Sequence, residues 1–471
     1  MTSEKFRHQL RKEAKLWQAE GLIDQEIYQQ LANRYQFQGL DSAASDRFIM
    51  LLLGLGGILL GIGVITFVSA NWQNLSQVAR TIILLTLLIV VNTSGFYLWR
   101  QARGDRPGKT QRLGHGLLIF GALLLGANIG QISQTFHIGG EAYNLFIIWG
   151  LGVIAMSAGL SLTSLGVIGI LLFSGGYCAG AYELFDPSPL SVVNLIMQHT
   201  PLIAGIGFVA LAYWCQSRVI FTLAILLLIP SLFIGFGLTL ARPYQSFWLA
   251  IATVTIPLLL WGYDDLLLPK VHSRRFQQIA RNITILHLSG WLYFFSFNGI
   301  WRYFSAPDDQ SILPINWWML IDVLFFIGWT IWQWYNLAKP SQRQPHKWGI
   351  DQISGIVACI TMIMGIVFYW HWQINPIPVL ATYLMNVLIF ILAVGLIRLG
   401  LTKGNRGGFW CGLVLLTLQI LSRTLEYDVE LLLKSFVFIL CGIGAIAAGL
   451  WFEKHLAQIK PQTENSQPEI L

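Results

Sequence analysis

Charged side chains are scarce in this sequence of 471 residues. Asp, Glu, Lys and Arg together make up 11% of it, whereas hydrophobic residues make up 55%. A soluble domain carries roughly 25% charged residues, because its surface needs polar cover. The scarcity of charge therefore excludes a soluble globular chain and predicts a protein whose apolar surface faces lipid. The 19 Trp and 45 Gly agree, since both residues are frequent in membrane-spanning proteins.

Motifs that carry known chemistry are also lacking. The five cysteines lie within apolar stretches and form no C-x-x-C pair, which argues against metal or disulfide roles. No two histidines have the spacing of a helical zinc site, and the chain has no phosphate-binding loop and no dinucleotide fingerprint. We therefore predict no metal and no cofactor, and the sequence gives no reason to expect an enzyme.

Long apolar runs are what the sequence has instead. A helix needs about 20 mostly apolar residues to cross a bilayer, and about fourteen such runs occur along the chain. Because they are continuous, without the alternation of barrel strands, they predict helices. The predicted fold class is all-α, a polytopic transmembrane helical bundle. The expected spans lie near 48–70, 80–99, 114–133, 143–160, 162–182, 201–216, 219–240, 245–262, 278–298, 316–335, 350–372, 376–400, 408–422 and 431–452.

The basic residues alternate between the two sides of these spans. With the N-terminus in the cytoplasm, 24 of the 30 Lys and Arg residues fall on the cytoplasmic side and four on the opposite side. Cytoplasmic loops of membrane proteins carry such an excess of positive charge. Both termini are therefore predicted to be cytoplasmic, in a bacterial cytoplasmic (inner) membrane or another energy-converting internal membrane. The net charge of +7 follows from this topology and does not require nucleic acid as a partner.

Three regions follow from these patterns. Residues 1–47 are predicted to form a cytoplasmic amphipathic helical hairpin, 48–452 the transmembrane bundle, and 453–471 a disordered cytoplasmic polar tail. The hairpin is indicated by apolar residues that repeat every three to four positions over 4–20 and 24–36. It has three interpretations, which are a self-packed cover for the bundle, a contact with the lipid bilayer, and a docking element for a protein partner. A single hairpin lacks the third helix of a DNA-reading domain, so nucleic acid is not predicted.

Polar side chains within the apolar spans are the candidates for function, because they are costly in lipid. Asn128, Gln131, Gln134 and His137 follow one another at spacings of three and share one face of the third span. That face could line a hydrated cavity and bind a polar ligand. The alternative is hydrogen bonding between helices, worth about 0.6–2 kcal/mol per contact.

A single carboxylate, Asp322, lies within the tenth expected span. It is a candidate for a proton-coupling site, or it could pair with Arg281 or His287 of the preceding span. Two prolines, Pro230 and Pro257, are the candidates for breaking a span, as discontinuous helices do in transporters.

Several stretches of the N-terminal third resemble the bacterial membrane proteins grouped as domain of unknown function 2157. The resemblance begins with Leu16-Trp17-Gln18-Ala19-Glu20-Gly21-Leu22-Ile23 and continues with Ser69-Ala70-Asn71-Trp72, where Ser69 stands in place of the family's usual Ala. Its most specific part is Gly126-Ala127-Asn128-Ile129 followed by Gln134-Thr135-Phe136-His137-Ile138. The resemblance implies an uncharacterised multi-pass membrane protein and places Asn71 and Trp72 among the ligand-binding candidates. It brings no substrate or reaction with it.

Three functions are compatible with the sequence. The first is transport or binding of a small polar or amphiphilic molecule, favoured by the many spans, the short loops and the polar face of the third span. The second is a structural or accessory role in which the N-terminal hairpin docks a partner. The third is a membrane-embedded enzyme acting on lipid, for which the sequence offers neither paired carboxylates nor metal ligands.

Overall fold

Every regular element in the described part of the chain is helical, which confirms the all-α class. The computed structural model describes residues 4–35, 52, 55–63, 66–67, 76–101, 108–137, 141–185, 191–238, 242–265, 276–303, 317–339, 349–426 and 430–464. The chain divides into two compact units, residues 1–180 and 181–471.

The first unit begins with two short helices, α1 (Glu4–Ala19) and α2 (Gln25–Arg34). Gly21 has a φ of 74°, a region that favours glycine, and lets the chain turn after α1. Asp24 then caps α2 by accepting a hydrogen bond from the backbone N–H of Ile27 at 2.8 Å. Ala14 is fully buried between apolar side chains of both helices, so the apolar faces of the two helices pack against each other. The surrounding side chains are Leu10, Trp17, Ile23, Tyr28, Leu31, Ala32 and Tyr35.

Four long helices follow, namely α3 (Gln77–Arg100), α4 (Lys109–Thr135), α5 (Ala142–Leu160) and α6 (Thr163–Gly180). Helix α3 packs along α4, α5 packs along α6, and α4 also contacts α5. The chain reverses within two residues between α5 and α6. There Ser161 adopts a left-handed φ of 54°, and the Ser157 hydroxyl donates to the carbonyl of Leu162 at 2.9 Å.

Glycines bring these helices into backbone contact. A Cβ at Gly114 of α4 would lie 2.3 Å from the backbone nitrogen of Trp99 in α3. A Cβ at Gly150 of α5 would likewise lie 2.6 Å from the backbone nitrogen of Phe173 in α6. No Cβ fits at such distances, so both positions require glycine. Small residues at helix contacts allow this close approach within a bilayer, where dispersion and hydrogen bonds drive association.

The second unit contains eleven helices among its described residues, preceded by the 3₁₀ turn Ala181–Phe185. Two π turns also occur, at Ile203–Phe208 and at Trp370–Ile374. The helices are α7 (Val192–Gln198), α8 (Thr200–Trp214), α9 (Arg218–Leu238), α10 (Arg242–Trp261), α11 (Gln277–Phe294), α12 (Asn298–Tyr303), α13 (Trp317–Ala338), α14 (Gln352–Tyr369), α15 (Pro378–Lys403), α16 (Arg406–Glu426) and α17 (Leu431–Glu464).

Helix α10 lies at the centre of this unit, packed against α9, α11, α13 and α14. An aromatic core surrounds the end of α14, where Trp301 and Phe368 are fully buried with ring centroids 5.1 Å apart. The indole N–H of Trp301 donates to the carbonyl of Phe295 at 2.6 Å, which satisfies its one polar group. Helices α9 and α10 run without interruption through Pro230 and Pro257, so the breaks considered at these prolines do not occur.

Helix α17 has the most exposed apolar surface of the described helices that are long enough to span a bilayer. None of residues 431–448 is buried within the described part of the protein, and Leu431 is 82% exposed. Its contact with α16 lies near its far end, where Phe452 stacks on Phe409 with ring centroids 4.1 Å apart. An apolar helix so exposed is covered by lipid in a membrane protein, because water would make this surface costly.

The described residues contain nine helices long and apolar enough to cross a membrane, or ten if the bent pair α7 and α8 forms one span. The expected number of fourteen is therefore not confirmed. Three further expected spans, near 245–262, 278–298 and 316–335, are helical but are not among these nine, and the apolar part described for the first of them is Phe247–Trp261. The last two carry Gln, Asn, Arg or Asp side chains among their apolar residues. Within the first expected span, 48–70, the structure describes residues 52, 55–63 and 66–67.

Candidate functional site

The second unit contains a broken helix. Helices α7 and α8 meet at His199 with a bend of 62°, and together they are long and apolar enough to be one span. Pro201 lies in the first turn of α8, where its missing N–H and its ring prevent the helix of α7 from continuing. The π turn at Ile203–Phe208 follows directly and widens α8. Broken spans and π turns both occur frequently at functional sites of membrane proteins.

A histidine and an aspartate meet at this break, and we call them the His–Asp pair. His199 Nδ1 lies 2.8 Å from Oδ1 of Asp322, which α13 supplies. The side chain of Asp322 is 2% exposed and that of His199 is 24% exposed. The backbone N–H of Leu202, in the first turn of α8, also stabilises the carboxylate. The positive end of a helix dipole favours a negative group at this position.

The His–Asp pair has unused bonding capacity. Asp322 Oδ2 is buried and has no hydrogen-bond partner among the described residues. If the imidazole is neutral and donates through Nδ1, the pair carries one uncompensated negative charge in apolar surroundings, which is costly. A proton, a cation or a donor group of a solute would each remove that cost. The geometry therefore defines a place where a proton or a small polar molecule can bind.

The partner of Asp322 differs from both residues expected from the sequence. Arg281 lies over the ring of Trp261, 5.2 Å from its centroid, and His287 lies beside Trp291. The expected pairing of Asp322 with Arg281 or His287 is therefore wrong, because α11 directs these side chains to aromatic neighbours. His199 was missed since it precedes the apolar run of its span. The signal in the sequence is the dipeptide Thr200-Pro201, which directly follows a histidine in an apolar stretch.

A second polar cluster lies at the other end of α8, beside the end of α10, and we call it the Tyr–Asp cluster. Tyr263 donates to the hydroxyl of Tyr213 at 2.6 Å, and Tyr213 donates to Oδ1 of Asp265. Asp265 Oδ2 accepts hydrogen bonds from the backbone N–H groups of Phe276 and Gln277, both at 3.3 Å. Burial raises the pKa of Tyr263 well above its ordinary value. The hydrogen bond with Tyr213 lowers this pKa in part and the charge of Asp265 raises it, so the hydroxyl stays protonated.

The predicted polar face of the third span is divided in the structure. Asn128 is buried, and its amide donates to the carbonyl of Leu84 in α3 at 3.1 Å, a hydrogen bond between helices. Gln131 is also buried and donates to the Thr135 hydroxyl at 2.8 Å. Gln134 and His137 are exposed. Gln134 and His137 are therefore more accessible to a solute than Asn128 and Gln131. Asn71 and Trp72 lie outside the described residues.

An ion pair ties the end of α16 to the turn between α11 and α12. Arg423 of α16 bonds to Glu426, and its guanidinium also donates to the carbonyl of Ser296 at 2.6 Å. Glu426 in turn accepts from the backbone N–H of Asn298 at 2.7 Å. The guanidinium carbon lies 4.3 Å from the ring centroid of Phe297. This network anchors the turn between α11 and α12 to the last turn of α16.

The fold and the buried polar pair define a multi-pass α-helical membrane protein. A family model described as a predicted membrane protein (DUF2157) matches residues 15–166 and confirms the resemblance over those positions. The His–Asp pair and the Tyr–Asp cluster lie outside the matched residues. No curated protein and no solved structure matches the chain.

Proposed function

We propose that this protein transports or binds a small polar molecule within the bilayer, with the His–Asp pair as its proton-coupling and binding site. The observation that carries the proposal is a buried carboxylate, Asp322, at the break of a helix, with one oxygen that has no hydrogen-bond partner in the part of the chain that the structure describes. Intramembrane carboxylates are costly and occur mainly on ion or substrate pathways. In secondary transporters the substrate binds where helices are broken, because half-helix ends offer unpaired backbone groups and dipoles.

The proposed function is tested by ligand-induced stabilisation. The purified full-length protein is heated in detergent with a panel of amino acids, sugars, nucleosides and polyamines. A solute that binds the folded state at one hundred times its Kd adds about 2.7 kcal/mol of stability. We expect His199→Gln and Asp322→Asn to weaken the effect of that solute by at least about tenfold in affinity, or about 1.4 kcal/mol.

The exposed carboxylate Glu453 provides the matched control, because its side chain is 50% exposed and pairs with Arg406 far along α17. The variant Glu453→Gln should respond to the solute as the unaltered protein does. Equal stabilisation of all variants by the same solute would show that binding occurs elsewhere, for instance at Gln134 and His137.

The orientation of the chain in the membrane, with both termini cytoplasmic, is a proposal that cysteine labelling can test. Gln101 and Glu141 are both exposed and flank α4, so they should lie on opposite sides of the membrane. In a variant lacking the five native cysteines, an impermeant maleimide added to intact cells should label Glu141→Cys and not Gln101→Cys. Labelling of Gln101→Cys alone would reverse the orientation, and equal labelling of both would contradict the assignment of α4 as a span.

The N-terminal helices support the self-packed interpretation more than docking. Their apolar faces pack against each other around Ala14. Leu16, Leu22 and Ile27 remain exposed, at 47%, 69% and 45%, and would be the residues that contact a partner in an accessory role. Loss of a co-purifying protein on replacing these three with serine would support the accessory function.

A further inference from the structure

We infer that a proton pathway connects the His–Asp pair to the Tyr–Asp cluster through the cavity between α8, α9, α10 and α13. This inference rests on the proposed function and specifies which ion is coupled and by which route it moves. The two clusters lie in the same unit and are joined by helix α8, which has His199 before its first residue and Tyr213 in its last turn. The pathway therefore has an acid–base group at each end and a cavity between them.

The first step of the argument is the register of α13. Asp322, Phe326, Trp329 and Gln333 follow at spacings of four, three and four, so they lie on one face of this helix. From Asp322 to Gln333 the helix rises about 16 Å. Helix α8 shows the same arrangement, since His199 precedes its first residue and Tyr213 lies near its last turn. Helix α13 thus carries Asp322 and Gln333 on either side of an apolar middle, and α8 has His199 and Tyr213 at its two ends.

The second step is the cavity. It has a volume of about 30 Å³ and is lined by Gly205, Val209, Phe326, Trp329, Tyr263 and Gln333, among others. A cavity needs about 10–15 Å³ to hold one water molecule. The cavity wall therefore extends from Phe326, one helical turn beyond Asp322, to Tyr263 of the Tyr–Asp cluster. Its size allows about one water, whereas a chain of waters over 16 Å needs more room.

The third step is the constriction that limits this space. A Cβ at Gly205 would lie 2.7 Å from Cζ of Phe326, so the π turn is in close contact with the ring of Phe326 and leaves no room for a methyl group. Gly207, two residues further along the same π turn, has nothing within 4 Å of its Cβ position. Apolar constrictions of this kind control passage by excluding water until they widen. The pathway is thus closed in this structure and opens when α8 and α13 separate.

The proton transfers balance without any other reactant. A proton arriving at the His–Asp pair passes to water in the widened cavity and then to the hydroxyl of Tyr263. Tyr263 releases its own proton to Tyr213, which releases one to Asp265, along the hydrogen bonds already formed. Each hydroxyl gains one proton as it loses another, and the net result is one proton moved between the two ends.

The test measures proton flux through full-length protein in liposomes with a trapped pH-sensitive dye. A potassium gradient with valinomycin supplies the driving force and the compensating charge. We expect Tyr263→Phe, Asp322→Asn and Gly205→Ala each to lower the flux at least tenfold. Gly207→Ala and Tyr383→Phe, which alter an uncrowded glycine and an exposed tyrosine, should retain it. Circular dichroism and size-exclusion chromatography establish that each variant is folded.

The outcomes separate the pathway from the proposed function. Absence of flux in the unaltered protein, or flux unchanged by Tyr263→Phe, overturns the pathway. In either case the stabilisation of the unaltered protein by a solute, and its loss in Asp322→Asn, would still support binding at the His–Asp pair. A faster leak in Phe326→Leu, a smaller side chain at the constriction, is the additional result expected of the pathway.

Discussion

Replacing Gly150 with alanine should lower the free energy of unfolding by about 1–3 kcal/mol, the usual cost of overpacking a tight contact. The added methyl would lie 2.6 Å from the backbone nitrogen of Phe173 and 2.9 Å from the carbonyl oxygen of Gly169. Both obstacles are backbone atoms, so no rotation of a side chain can make room. Helices α5 and α6 must separate, and the contacts along both are weakened.

The control for this prediction lies on the same helix. Gly159 is exposed and has nothing within 4 Å of its Cβ position. Gly159→Ala should therefore be neutral or slightly stabilising, because alanine favours a helix by about 1 kcal/mol over glycine. Thermal unfolding of both variants in the same detergent measures the difference. Equal stability of the two would mean that α5 and α6 do not meet at Gly150.

Replacing Arg423 with alanine should produce the second large loss of stability. Its guanidinium holds Glu426 and the carbonyl of Ser296, and the side chains of Arg423 and Glu426 are only 17% and 18% exposed. Hydrogen bonds to charged groups contribute about 1.5–3 kcal/mol. We expect a double-mutant cycle with Arg423→Ala and Glu426→Ala to give a coupling energy in that range, measured by denaturant unfolding.

The chain offers a matched ion pair for comparison. Arg406 and Glu453 are also in contact, at 2.7 Å, but their side chains are 63% and 50% exposed. Exposed ion pairs contribute about 0.2–1 kcal/mol, since water and salt screen them. The same cycle on this pair should therefore give a clearly smaller coupling energy. If the two couplings are equal, the Arg423 network is not protected from solvent as the structure indicates.

Features that depend on local sequence were predictable here. The all-helical class was predictable, and ten of the expected spans correspond to helices long and apolar enough to cross a membrane, with the bent pair counted as one, because a long apolar run specifies a helix regardless of its neighbours. Three further expected spans correspond to α10, α11 and α13, and the polar side chains of α11 and α13 lower the hydropathy of these two helices while tertiary contacts still stabilise them.

The site depends on contacts that no local pattern contains. Asp322 was recognisable as a lone carboxylate in an apolar run, but its partner His199 lies 123 residues earlier. Asn128 and Gln131 looked alike in the sequence, yet packing between α3 and α4 directs the amide of Asn128 to a backbone carbonyl. The Tyr–Asp cluster was not predicted, because its three members come from the ends of α8 and α10 and are brought together only by the fold.

The glycine contacts between consecutive helices have a consequence for how the chain is made. Helices α5 and α6 are joined by two residues, and α15 and α16 also pack through glycine, where a Cβ at Gly400 would lie 2.4 Å from the backbone nitrogen of Phe409. The tightest contacts of each helix pair join residues that are close in the sequence, so the entropic cost of closing the loop between the two helices is small. Such hairpins can assemble in the order in which the ribosome delivers them, before distant partners such as His199 and Asp322 meet.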